Sequence, residues 1–124
     1  MDTHTLLWWL DGDEHLSLVA RRWIETDEHR ILISAASAWE IATKVRIGKL
    51  PGAQAVAANF HACVINQGFT PLDITVDHAL RAGSLPDPHR DPFDRMLIAQ
   101  AQALNIPLIS NEHLFDHYGI QRIW

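Results

Sequence analysis

Short apolar runs alternate with longer helical patterns from one end of this chain to the other, and few architectures accommodate that order. Ile31-Leu32-Ile33, Pro71-Leu72-Asp73-Ile74 and Pro107-Leu108-Ile109 read as buried strands, with Gln121-Arg122-Ile123 as a last edge strand. Helical patterns fill the intervals. Ser17 is placed to cap one through Val19, Ala20, Trp23 and Ile24. Ser34 or Ser37 is placed to cap a second carrying Trp39, Ile41, Ala42 and Val45 and ending at Gly48. A third is expected from Ala53 to Asn66, ending near Gly68, and Thr75 is placed to cap a fourth through His78, Ala79 and Ala82. The sharpest start is Asp91-Pro92-Phe93-Asp94. Asp91 suits the N-cap, Pro92 the first helical position and Asp94 the third, with Leu97, Ile98, Ala101 and Leu104 following at helical spacing. Strand and helix in turn predict a single α/β domain over residues 1–124, built on a mainly parallel sheet.

Ligands of such sheets bind beyond the carboxyl ends of the strands. Four acids stand beside hydrophobic segments spread over the whole chain: Asp2, Glu40, Asp94 and Glu112. Gathered by folding, their oxygens make a hard-ligand site for Mg²⁺ or Mn²⁺, suited to activating water and stabilising a phosphodiester during hydrolysis. Glu112 follows Pro107-Leu108-Ile109-Ser110, at a strand end. Asp2 is harder to place. A strand is expected before it and only Met1 is there, so either residues are missing before Met1 or the first strand is shortened and runs from Thr3 to Trp9.

A net charge of −5 argues against broad, nonspecific nucleic-acid binding, which rests on basic surfaces. It does not exclude a nuclease, because clustered carboxylates contribute much of that charge and bound cations offset it locally. The single cysteine, Cys63, excludes an intrachain disulfide framework and reads as a small buried residue. No apolar run reaches membrane-spanning length and no secretory signal is seen, so a cytoplasmic protein is expected.

Four segments carry a family resemblance: DTHTLLWWL, SAASAWEIATKVRIGKL, HRDPFDRMLIAQA and LISNEHLFDHYGIQRIW. In this order they resemble the PIN-domain nucleases, and within them the VapC-like toxins of bacterial type II toxin–antitoxin pairs. DPFDRMLIAQA is the most specific segment, and the resemblance spans essentially the whole chain. It implies a three-layer α/β/α fold whose acids bind Mg²⁺ or Mn²⁺ and cut RNA. The family's acids fall on Asp2, Glu40, Asp94 and Glu112, which are the expected catalytic and metal-binding residues. Thr3, Ser110 and Asp91 are expected to support them. Glutamate at 112 stands where aspartate is usual, and its longer reach suggests contact with a second metal or a water. The resemblance also implies a small antitoxin partner, with a homodimer or a toxin–antitoxin hetero-oligomer as the assembly. An acidic pocket attracts an arginine, and Leu7, Trp8 or Trp9 would offer anchoring area.

Plainer readings stand beside these. Capping alone explains Asp91, and the alignment favours Asp94 as the ligand. Glu40 is placed to pair with Lys44 one turn on. Lys44, Arg46 and Lys49 form the basic run, read either as a solvated helix end or as a phosphate-contacting rim. His89 is a candidate substrate contact or a loop histidine. The five tryptophans suit base stacking, but also core or protein interface. His113 and His117 invite a zinc reading, without an HExxH pattern. Two other classes use similar parts: a non-catalytic PIN-like binding module, disfavoured by intact acids at all four positions, and a Mg²⁺-dependent α/β phosphatase or phosphotransfer domain. The latter is expected to carry a DxD-type strand-end motif, where this chain has Asp2-Thr3-His4.

Overall fold

The computed structural model describes residues 1–86 and 90–124. Among these residues, four strands form two parallel ladders. In the first, β1 (Leu32–Ser34) pairs with β2 (Thr70–Leu72), setting Leu32 opposite Thr70 and Ser34 opposite Leu72. In the second, β3 (Leu108–Ile109) pairs with β4 (Arg122–Ile123). The expected parallel pairing is therefore present on short strands. Residues 1 and 2 lie between the ladders: the Met1 amino group donates to the Leu32 carbonyl at 3.1 Å, and the Asp2 amide donates to the Ile109 carbonyl at 3.0 Å. Beside this join, a cavity of about 260 Å³ opens between the ladders, lined by Met1, Leu32, Leu97, Gln100, Leu108 and Ile109.

The expectation of a strand from Thr3 to Trp9 is corrected. That segment is helix α1 (Thr3–Asp11), because the Asp2 side chain caps it by accepting from the Thr5 amide. Most other helix starts follow the sequence signals. Ser17 caps α2 (Leu18–Glu25), and Ser34 rather than Ser37 caps α3 (Ala35–Arg46). Thr75 and His78 form a reciprocal capping box on α6 (Val76–Ser84). The single helix expected from Ala53 to Asn66 is two, α4 (Gln54–Ala58) and α5 (Phe60–Asn66). Asn59 breaks it at φ −132° and turns its side-chain amide onto the Ala55 carbonyl, the local competition with the helical ladder that asparagine favours. Helix α7 (Pro92–Leu104) starts as read: both the Phe93 and Asp94 amides donate to Asp91 Oδ1, at 2.8 and 3.1 Å.

Successive strand residues face opposite ways, and β3 shows what this does here. Ile109 joins an apolar cluster with Leu6, Ala20, Ile24, Ile33, Ile41 and Val64, drawn from α1, α2, β1, α3 and α5. Leu108 joins a second cluster with Leu97, Ile98 and Phe115, from α7 and a 3-10 helix (His113–Tyr118). Helices thus cover both faces of the strands in an α/β/α arrangement. Ile98 and Phe115 are completely buried, and such burial contributes about 1.5–3 kcal/mol per side chain. Cys63 is half-buried rather than buried, since it lies on the short helix α5, where Val64 is the buried residue. Among the described residues no helix is long and apolar enough to cross a membrane.

Candidate active site

Asp2 is the most tightly held of the acids. It is buried, and each carboxylate oxygen has a partner: Oδ1 accepts from the Thr5 amide at 2.9 Å, and Oδ2 accepts from the Ser110 hydroxyl. Ser110, itself fully buried, also accepts from the Glu112 amide at 2.9 Å. A relay of hydrogen bonds therefore runs from the loop after β3 to the start of α1, over 108 residues of sequence. Thr3 donates its hydroxyl to Ser37 at 3.0 Å, tying α1 to α3. Thr5 contributes twice, through its amide to Asp2 and its hydroxyl to the Ile109 carbonyl. Thr5 is given no role by the sequence reading, and Ser37 only that of a possible cap. The signal for Thr5 was its place three residues after a capping acid.

Glu40 lies on α3 and is buried, only 3% exposed. A buried carboxylate needs a compensating charge. Lys44 provides it, with Nζ 2.5 Å from Glu40 Oε2 one turn along the helix. Arg46 is exposed in the last turn. His89 lies outside the described residues. Glu112 is half-buried and caps the 3-10 helix, where its Oε1 accepts from the Leu114 amide at 3.1 Å.

Asp94 stands where these elements meet. Its carboxyl is pushed up to about 8, first by burial and then by the negative charges of Asp91, Glu40, Asp2 and Glu112. Residues from positions 2 to 112 thus lie within electrostatic range of one side chain. Their donor chemistry suits a hard divalent cation: all oxygen, acidic, and crowded enough that a carboxyl holds its proton well above its ordinary range. Among the described residues, no three His, Cys, Asp or Glu side chains already stand together as a coordinating array. Lys44 and Ser110 instead engage Glu40 and Asp2. The zinc reading gains nothing, because His113 Nδ1 sits 3.0 Å from the Arg122 guanidinium, a cation of its own.

Asp91 acts as a cap in this structure, holding the first turn of α7 and with it the position of Asp94. Asp91→Ala is expected to cost about 1 kcal/mol, read as a lower urea midpoint with an unchanged slope. Asp91→Asn is expected to keep the cap.

Two aromatic rings flank the acids. Trp39 immediately precedes Glu40 and is 56% exposed, and Phe93 immediately precedes Asp94. Their centroids are 4.6 Å apart with planes at 78°, an edge-to-face contact between α3 and α7. Leu7, Trp8 and Trp9 are half-buried and packed against the first apolar cluster. Trp8 contacts His15 and Trp124, and Trp9 contacts Phe69 and donates to Gln67.

In a comparison with known families, the model of the PIN domain matches residues 1–121. No curated protein matches the chain.

Proposed function

Since the chain belongs to the PIN-domain family, we propose that it is a Mg²⁺- or Mn²⁺-dependent endoribonuclease, acting as a toxin that a small cognate antitoxin neutralises. A PIN domain is generally a nuclease domain and usually binds divalent metal ions. The observation that carries the reading for this chain is the crowding of Asp2, Glu40, Asp91 and Glu112 around a half-buried Asp94. Burial and the neighbouring negative charges together oppose ionisation of Asp94, and a divalent cation would offset both.

Asp2, Glu40 and Asp94 would hold the ion, with Glu112 completing the site directly or through water. A divalent ion there supplies a water of lowered pKa and charge stabilisation for the phosphodiester transition state. The chain's own groups set the stage. Thr5 and Ser110 fix both oxygens of Asp2, so its carboxylate cannot rotate freely. The N-terminus of α7 sets its positive dipole end on the Asp94 side, which favours an anionic substrate there, while Asp91 accepts from the Phe93 and Asp94 amides. Lys44 keeps a positive charge beside Glu40, at the place a phosphodiester has to approach.

The antitoxin would place a basic side chain in the acidic site, and the assembly would be a homodimer or a toxin–antitoxin hetero-oligomer. Expressed alone, the protein is expected to arrest growth of a bacterial host, whereas the gene encoded beside it is expected to restore growth and to yield a co-purifying complex. In vitro, the purified chain is expected to cut single-stranded RNA with Mn²⁺ and not with EDTA. A harmless protein that leaves RNA intact at millimolar Mn²⁺ would remove both the toxin and the nuclease reading.

A further inference from the structure

Trp39 is 56% exposed on α3, one residue before a buried acid. Phe93, on α7 and one residue before Asp94, meets it with centroids 4.6 Å apart and planes at 78°. A large flat ring, braced by an aromatic neighbour and more than half open to solvent, is a stacking platform. Resting on the ribonuclease reading above, we infer that Trp39, braced by Phe93, stacks a nucleobase of single-stranded RNA next to the scissile phosphate.

Three observations favour a base as the occupant. Trp39 and Phe93 each directly precede one of the acids, on α3 and on α7, so a phosphate at the carboxylates has its neighbouring nucleotide near the ring pair. Arg46 lies seven residues after Trp39, on the same face of α3 and about 10 Å along the axis, where it meets a phosphate further along the strand. Charge supplies the third. With a net charge of −5, the protein gains little from general attraction to a polyanion, so contacts indifferent to charge have to contribute affinity. Stacking does so, and it tolerates any base because each has a π-face.

The test uses the full chain with Mn²⁺ and two single-stranded RNA substrates, one intact and one with a single abasic nucleotide beside the cleaved bond. Trp39→Ala is expected to raise KM by roughly 10- to 100-fold and to act little on kcat, while Trp39→Phe recovers most of the loss. The abasic substrate is expected to cost wild type a similar factor and to cost Trp39→Ala nothing more, a non-additivity that general destabilisation does not produce. Unchanged KM in Trp39→Ala, or equal abasic penalties in both proteins, overturns the platform while cleavage itself stands. Trp39→Ala that binds RNA normally but no longer captures the antitoxin assigns the ring to a protein interface and also overturns it. Wild type that fails to cleave at all removes the ribonuclease reading, and the platform with it.

Discussion

Asp94→Asn is expected to lower RNA cleavage by at least about two orders of magnitude while making the metal-free protein more stable at pH 8. The two effects have one origin. The Asp94 carboxyl is pushed up to about 8 by burial and by four neighbouring acids. Between pH of about 4, the ordinary aspartate value, and about 8, the unfolded chain has released this proton while the folded chain still holds it. Stability therefore falls as pH rises through that window, by on the order of 1 kcal/mol per pH unit at its steepest, and the penalty levels off above it. Asparagine removes the titration. The stability difference between Asp94→Asn and wild type, from urea melts in EDTA, should grow from pH 5 to pH 8. A difference that stays flat, or activity that survives the substitution, would remove Asp94 from the centre of the site.

Divalent metal should reverse that penalty. At a Mn²⁺ concentration 100-fold above its Kd, ligation is expected to add about 2.7 kcal/mol, a rise in Tm of roughly 10 °C for a domain of this size. Binding at pH 7 should release close to one proton from Asp94, and fewer at pH 9, where that carboxyl is already ionised. Calorimetry in buffers of different ionisation enthalpy reads this directly. Glu40→Gln should blunt the Tm rise, and no heat and no shift at millimolar Mn²⁺ would overturn metal binding in this cluster.

Much of this was readable before the structure, for reasons local to particular residues. Asp91-Pro92 fixes the start of α7 because a capping carboxylate and a ring-locked φ act within one turn. Thr75 and Ser17 act the same way. The segment after Asp2 was ambiguous because Leu6 to Leu10 is apolar without a clear period, and only the cap on Thr5 marks it as helix. Asn59 breaks an otherwise helical pattern through a side-chain bond that no periodicity registers. The four acids stand out by their motifs, and the fold brings Asp2, Glu40 and Glu112 within electrostatic range of Asp94. The burial of Glu40, its pairing with Lys44 and the Ser110–Asp2 contact depend on tertiary packing between distant segments. So does the placing of Phe93 against Trp39, which lie 54 positions apart in sequence, the difference between their residue numbers.

The two ladders are joined through the backbone of residues 1 and 2, by one bond to Leu32 and one to Ile109. Bonds of this kind contribute about 0.5–1.5 kcal/mol each, so the seam is soft beside the cores on either face. Asp2 is mounted on that seam, and Glu40 follows the strand on one side of it while Ser110 and Glu112 follow the strand on the other. Parting of the ladders and dispersal of the acids are consequently a single event, which amide exchange would register at Asp2 earlier than at Ile41 or Ile98. An ion gripped from both sides would act as a rivet through the sheet, so that the same contact that arms the site also fastens the fold.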